Sequence, residues 1–358
     1  MSHQSRINAL QNLLSGFRLD GFLVTKLSNI RYLTGFSGTN GICLITNSDA
    51  IFISDPRYEQ QASQEVSAAS IHIGRGFLPE KLKELSCLPE GQNIGFEADS
   101  LPYGQFRRLK DLLPGVRWQP QEKLVEQLSI SKSEEEIGSI QLAAEFTDKI
   151  FLQLIELIRP GTRECDIAAE ILYRFKKMGA DNSAFEPIVA SGHRSALPHG
   201  VASEKEIEEG DLVILDFGCV VNGYASDLTR TVVVGKASDE QRRIYEVVRT
   251  AQQSAIQVIR AGISCSELDA TARNVIREAG YGEYFGHALG HGLGLEVHSE
   301  PRIAAETDSS LPENAVITIE PGIYVPDLGG VRIEDDVVVR VDHAELLTHS
   351  SRDLIEIS

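Results

Sequence analysis

The sequence predicts a mixed α+β protein of two domains, an amino-terminal α/β domain over residues 1–125 and a duplicated α+β domain over residues 126–358. Three observations carry this prediction. The chain has 358 residues, 42% of them apolar and 24% charged, more than one hydrophobic core usually accommodates. Helix and strand signals alternate up to about residue 118, where the polar stretch 118–127, containing Pro120, reads as a linker. Beyond it, Leu157-Ile158-Arg159-Pro160-Gly161 superimposes on Val258-Ile259-Arg260-Ala261-Gly262 at an offset of 101, which also lays Ala169 on Ala270 and Gly179 on Gly280. Two helix-Gly-helix units, each followed by strands, therefore recur.

In the first domain, Ile7, Leu10, Leu13 and Leu14 have helical spacing and lead into the apolar run 21–24. Residues 42–45 and 50–53 flank a polar Thr-Asn-Ser-Asp stretch and read as a hairpin, residues 71–73 and 94–96 as further strands, and 78–86 and 103–113 as helices. Ser133 with Glu136 three residues on is a capping box, and it opens a long amphipathic helix. The run Asp211–Gly218 is an apolar strand around Asp216, and Asn222-Gly223 marks a tight turn before the returning strand 224–234. With a two-residue loop, Val221 faces Tyr224, Gly218 faces Asp227, and Asp216 sits diagonal to Asp227 on one face. A second strand pair, 316–320 and 331–335, places Glu320 with Val316 and Thr318, and Glu334 beside Arg332. Between the two pairs, residues 286–298 carry His287, His291 and His298 among glycines too frequent for a helix, a shaped loop or strand.

Charge and cysteine usage narrow the function classes. A net charge of −18 repels phosphate backbones and anionic lipid, so nucleic acid and membrane are not expected partners. Five scattered cysteines without a C-x-x-C pattern fit reduced thiols and a cytoplasmic location. Neither a signal-peptide pattern at the start nor any apolar window near the roughly 20 residues of a membrane helix is present.

Four carboxylates gathered in apolar strands need positive charge, which two divalent cations supply. Oxygen-rich ligation with one imidazole suits Mn²⁺, Co²⁺ or Zn²⁺, and such a pair activates water and polarises a carbonyl, so the reaction class implied is hydrolysis. Singly, each piece has an ordinary reading: Asp216 as a strand-end turn residue, Glu334-Asp335-Asp336 as a solvated acidic run, His193 as loop surface, Arg332 as an ion-pair partner.

Together the pieces resemble a known family. Asp216 in Leu-Asp-Phe-Gly, Asp227 in Ser-Asp-Leu-Thr-Arg, His291 in Gly-His-Gly-Leu-Gly, Glu320 in Ile-Glu-Pro-Gly and Glu334 in Arg-Ile-Glu-Asp resemble the five metal ligands of the pita-bread metallopeptidases, peptidase family M24. The motifs around His199, His298 and Gly329–Asp336 are similar to the proline-specific branch, aminopeptidase P and prolidase. Residues 29–36 resemble the creatinase-like amino-terminal domain of that branch.

The resemblance implies two divalent ions, Mn²⁺ foremost, held by Asp216, Asp227, His291, Glu320 and Glu334, with Glu320 also the general base. It implies that His298 and His199 contact the scissile carbonyl and move protons, and that His287 and Arg332 are substrate-binding or supporting groups. The activity implied is an Xaa-Pro aminopeptidase acting on peptides with proline in second position, with an Xaa-Pro dipeptidase (prolidase) as the alternative and a non-catalytic peptide-binding protein as a third reading. Many relatives carry an arginine about a dozen residues ahead of Glu-Pro-Gly, where this chain has Glu306-Thr307-Asp308-Ser309-Ser310, a departure that favours longer substrates. The separate amino-terminal domain further implies a homo-oligomer, a dimer.

Overall fold

A computed structural model describes residues 1–358. The chain forms two compact units, Met1–Ser129 and Ile130–Ser358. The division falls four residues beyond the expected 125/126, because Glu126 belongs to the first unit: it accepts hydrogen bonds from Lys26 Nζ (3.1 Å) and Asn29 Nδ2 (2.9 Å).

The first unit is an α/β layer structure. Helices α1 (His3–Gly16), α2 (Leu27–Thr34), α3 (Glu59–Glu65), α4 (Pro79–Glu84) and α5 (Tyr103–Leu112) accompany strands β1 (Gly21–Val24), β2 (Ile42–Thr46), β3 (Ala50–Ser54), β4 (Ser70–Ile73), β5 (Asn93–Glu97) and β6 (Arg117–Gln121). The sheet order is β4-β3-β2-β1-β5-β6. Strand β6 corrects the linker expectation for 118–127. Its polar residues and Pro120 are tolerated because it is an edge strand, paired parallel to β5 alone, while Trp118 packs edge-on against Phe96 at 6.5 Å.

The second unit is built twice over. Helices α6 (Glu134–Leu154) and α7 (Glu164–Met178) cover one half; α8 (Asp239–Val258) and α9 (Cys265–Glu278) cover the other. Ser133 and Glu136 form the capping box of α6, the Ser133 N–H donating to Glu136 Oε2 at 2.9 Å. The residues of the repeat have the same backbone: Gly161 and Gly262 have φ 87° and 88°, Gly179 and Gly280 have φ 87° and 90°. The surrounding hydrogen bonds repeat as well. Gly161 N–H donates to the Ile207 carbonyl as Gly262 N–H does to Leu311, and Glu164 N–H to Lys205 as Cys265 N–H to Ser309.

The first half carries β7 (Asn182–Ser183), β8 (Ile188–Ser191), β9 (Leu212–Phe217), β10 (Cys219–Val221), β11 (Tyr224–Ala225) and β12 (Leu228–Val234). The second carries β13 (Gly290–Gly292), β14 (Ser299–Ile303), β15 (Val316–Ile319), β16 (Gly322–Val325), β17 (Gly329–Arg332), β18 (Asp335–Val339) and β19 (Ala344–Leu346), and β20 (Ile355–Ile357) returns to the first sheet. Strand orders correspond: β20-β12-β9-β8 in one sheet, β19-β18-β15-β13-β14 in the other.

Each half contains one long hairpin, interrupted in the middle. The first runs through β9 and β10, turns at Asn222-Gly223 (φ 53° and 83°), and returns through β11 and β12. Both turn residues lie at positive φ, as a type I′ turn requires. Val221 pairs with Tyr224 and Asp216 with Thr229, the expected register without a bulge. The second hairpin departs from expectation. Residues 331–335 are not one strand: the chain leaves β17 at Ile333-Glu334 and changes partner, β17 pairing with β16 and β18 with β15. Alternation then sorts the faces. Val213, Leu215 and Phe217 pack with α6 and α7, and Ile317 and Ile319 with α8 and α9, so Asp216 and Glu320 point away from the helices.

Candidate active site

The interruptions of the two hairpins meet, and the acids lie there. Asp216 is the penultimate residue of β9, Asp227 precedes β12, Glu320 follows β15 and Glu334 precedes β18. Asp216, Asp227 and Glu334 are buried, Glu334 being 2% exposed and Asp227 4%, and Glu320 is partly exposed. His291 enters from β13, the short strand between β14 and β15. A Cβ at Gly290 or Gly292 would collide with the carbonyls of Thr318 or Glu300, so only glycine lets this backbone approach close enough to place the His291 ring.

One oxygen or nitrogen each from Asp227, His291 and Glu334 lies within 4.8 Å of the others. His291 Nε2 stands 3.4 Å from Glu320 Oε1 and 3.8 Å from Asp227 Oδ2. Because Nδ1 faces the Gly292 carbonyl at 3.0 Å, Nδ1 carries the proton and Nε2 presents its lone pair to these carboxylates. Burial, reinforced by His298, pushes the His291 pKa down to about 4 and keeps the ring neutral.

The carboxylates move the other way. Burial, then repulsion from Asp216, pushes Glu320 up to about 8, although Arg332 and the Thr318 hydroxyl pull against it. Burial followed by the neighbouring acids also raises Asp227 and Glu334 well above the usual range. Asp227 Oδ1 is buried with no hydrogen-bond partner. Lone pairs facing one another, an orphaned carboxylate oxygen and mutual repulsion are what a divalent cation relieves, and the donor set of four carboxylates and one imidazole fits such ions.

The remaining expected residues fall around this cluster. Arg332, 3% exposed, donates from Nη2 to Asp216 Oδ2 (2.5 Å), from Nε to Thr229 Oγ1 (3.2 Å), and from Nη1 to Tyr324 Oη (2.7 Å) and the Pro198 carbonyl (3.2 Å). Tyr324 Oη passes the chain on to His287 Nε2 at 3.0 Å, and His287 Nδ1 donates to the Ala288 carbonyl at 2.8 Å. Burial and then Arg332 hold the His287 pKa down at about 4, so the ring accepts from tyrosine. His287 and Arg332 thus support the acids from behind. His298 stacks edge-on to His291 with ring centroids 4.5 Å apart and is exposed. His199 is exposed after the 3-10 turn Gly192–Ala196 and close enough for its charge to depress His287. His193 in that turn is exposed, and Arg302 is exposed and paired with Glu306 at 2.6 Å.

Sequence reasoning missed Tyr324, Thr229 and Thr318, whose hydroxyls touch the charged groups; Thr229 Oγ1 donates to Glu334 Oε2 at 2.5 Å and Thr318 Oγ1 to Glu320 Oε1 at 3.2 Å. Their only signal was position: Thr318 alternates onto the face of Glu320, and Thr229 pairs across the ladder with Asp216, while Tyr324 had none. The run Glu334-Asp335-Asp336 is not a solvated surface, since Asp335 and Asp336 are both wholly buried.

Comparison with known proteins agrees with this geometry. Residues 138–341 match metallopeptidase family M24, and residues 6–129 match the creatinase/prolidase N-terminal domain. An Xaa-Pro dipeptidase of Pyrococcus horikoshii is 42% identical over 94% of this chain and 95% of its own. The structure of an Xaa-Pro dipeptidase from Bacillus anthracis superimposes with a TM-score of 0.95 at 42% identity, covering 99% of both chains. That of an X-Pro aminopeptidase from Thermotoga maritima does so with a TM-score of 0.88 at 38% identity, over 98% of this chain and all of the other. With its duplicated α+β unit, its buried acids around a neutral imidazole and its creatinase-type first unit, the chain belongs to metallopeptidase family M24 and is a metal-dependent peptidase of the pita-bread fold.

Proposed function

We propose that the protein is an Xaa-Pro dipeptidase that splits the bond ahead of proline. The observation carrying this reading is the near full-length likeness, at 42% identity, to proteins named Xaa-Pro dipeptidase. The cluster supports it by offering the chemistry that a peptide bond to proline demands. Such a bond has no N–H, and its nitrogen must be protonated to leave.

In this reading Asp216, Asp227, His291, Glu320 and Glu334 hold two divalent ions, for which Mn²⁺ best suits the oxygen-rich set. When bound, the ions supply Lewis acidity toward the scissile carbonyl and bring the pKa of water near neutrality. Glu320 takes the proton of the attacking water on its carboxylate. The exposed imidazoles of His298 and His199 bind the substrate carbonyl and deliver a proton to the proline nitrogen. Arg332, fixed by Tyr324 and His287, keeps Asp216 in direction. Five free cysteines fit a reducing compartment, and we place the enzyme in the cytoplasm as a homo-oligomer.

A second reading, release of an N-terminal residue from longer peptides, is favoured by a specific observation. The stretch 306–310 has no arginine to clamp a dipeptide carboxylate, Arg302 is paired with Glu306, and Arg332 is committed to Asp216. Incubating Mn²⁺-loaded protein with equimolar Ala-Pro and Ala-Pro-Pro-Gly, beside a chelated control, separates the two by mass spectrometry. Alanine released mainly from the dipeptide supports the dipeptidase; release mainly from the tetrapeptide overturns it in favour of the aminopeptidase.

A further inference from the structure

Behind the ligand face lies a second layer of buried charge. Asp335 shares the face of Val337 and Val339, which pack against α8, so it points away from Glu334 and into the helix side of the sheet. Arg230 meets it there, only 1% exposed. All five guanidinium N–H groups of Arg230 are used. Nη1 donates to the carbonyls of Glu334 (2.5 Å) and Thr229 (2.9 Å), Nη2 to Asp335 Oδ1 (2.7 Å) and the Ser350 carbonyl (2.8 Å), and Nε to the Ser351 carbonyl (2.9 Å).

Asp335 is equally saturated. Its Oδ1 accepts from Thr348 Oγ1 (2.8 Å) besides Arg230, and its Oδ2 from Gln252 Nε2 (2.5 Å) and Arg352 Nε (2.6 Å). Thr348 Oγ1 in turn accepts the Asp336 N–H at 3.1 Å, and Asp336 Oδ2 accepts the Asp227 N–H at 2.9 Å.

We propose that Arg230 and Asp335 form a positioning clamp for the metal-holding acids, fastened to the carboxyl-terminal segment at Ser350–Arg352. Arg230 seizes the two backbone carbonyls on either side of the seam, that of Thr229 from the first half and that of Glu334 from the second. Thr229 Oγ1 already grips the Glu334 carboxylate, so fixing both backbones fixes the direction of that carboxylate. Through Thr348 and Asp336 the same network reaches the backbone of Asp227. None of these groups touches the reacting atoms. Their effect is the geometry of the site, and supporting groups of this kind typically change metal affinity 10- to 100-fold. The inference rests on the assignment of Asp227 and Glu334 as metal ligands, not on the choice of substrate.

The test is titration of metal-free protein with Co²⁺, following visible absorption and stoichiometry, for the wild type, Thr348→Val and Arg230→Lys. Thr348→Val keeps the volume and the Arg230–Asp335 pair while cutting the link to Asp336. Far-UV circular dichroism checks that each variant is folded. The expected result is native-like folding with Co²⁺ binding weakened about 10-fold or more in Thr348→Val, further in Arg230→Lys, and an altered visible spectrum in both. Wild-type affinity and spectrum in a folded Thr348→Val would overturn the clamp, whatever becomes of Arg230→Lys. Absence of Co²⁺ binding by the wild type would instead overturn the metal-site reading itself.

Discussion

The two halves of the second unit are built alike and furnished differently. Their registers place residues in correspondence: Ser191 pairs with Val213 as Gly292 pairs with Ile317, and Asp216 pairs with Thr229 just ahead of the first interruption. Continued along each hairpin, this sets Asp216 against Glu320, Ala190 against His291, Thr229 against Glu334 and Asp227 against Arg332. Only the first of these pairs is acid for acid. The first half therefore offers two carboxylates, the second two carboxylates and an imidazole, and Arg332 stands where its counterpart half has an acid. That guanidinium bonds back to Asp216, the acid of the other half. A repeated backbone supplied the seam; unlike side chains at matching positions made it chemically directional.

The largest break of this comparison is expected at its symmetric pair. Glu320→Gln keeps the shape and removes the proton acceptor, and should lower kcat roughly a hundred- to ten-thousand-fold with little change in KM. Asp216→Asn, at the corresponding position, should lose metal affinity first and recover part of its activity at high Mn²⁺. Equal behaviour of the two variants in metal-dependent steady-state kinetics would mean the halves share their roles.

A second difference lies at the starts of α7 and α9. Glu164, wholly buried, accepts from the Ser191 and Ser203 N–H groups (2.7 and 3.1 Å), both serine hydroxyls and Arg194, tying down both ends of the loop that carries His199. Its counterpart in the repeat is Cys265, which makes only a weak contact to the Ser309 hydroxyl at 3.6 Å. Glu164→Gln should cost about 2 to 3 kcal/mol in urea unfolding, whereas Cys265→Ser should stay within about 1 kcal/mol.

The charge of the seam gives a pH test. Glu320, with a folded pKa of about 8 against an ordinary 4.5, is ionised in the unfolded chain before the folded one. Between those values the metal-free native state holds the extra proton, so stability is lost as pH rises from about 4.5 toward 8. Burial drives Asp227 and Glu334 in the same direction. His291 opposes it, its folded pKa of about 4 costing stability as pH falls below its ordinary 6.5. Cations remove the carboxylate penalty and bind better as the protons leave. The Tm gap between Mn²⁺-loaded and chelated protein should widen by roughly 5 °C between pH 5 and pH 8; a constant gap in paired thermal scans would count against the cluster as the cation site.

The smallest effect is expected where the halves are most alike. Gly179 and Gly280 end α7 and α9 at nearly the same positive φ, with no neighbour within 4 Å of an added Cβ. Alanine at either should cost about 1 kcal/mol through backbone conformation alone, and the two losses should agree.

What could be read from the sequence was what depends on short spans of chain. The matched glycines exposed the duplication, Asn222-Gly223 fixed the register bringing Asp216 and Asp227 to one face, and the glycines around His291 excluded a helix there. Strand β6 was not legible, because its pairing with β5 overrides a polar composition that reads locally as a linker. The change of partners at Ile333-Glu334 was hidden for the same reason, since Val331 to Asp335 alternates like one strand. Least visible was the ring of Tyr324, Thr229, Arg230 and Asp335. Nothing in their own neighbourhoods distinguishes a threonine that packs from one that grips a carboxylate more than a hundred residues away.

The spread of the site along the chain also has a bearing on when it comes into being. A ribosome that has completed the first half has released Asp216 and Asp227 but not His291, Glu320 or Glu334, and the segment whose carbonyls receive Arg230 lies at Ser350 and Ser351. A chain that has emerged only that far therefore carries two acids without the imidazole and the two glutamates that face them in the folded unit. A chain interrupted before Ser350 would carry all five candidate metal-holding residues but not the two carbonyls that receive Arg230 Nη2 and Nε.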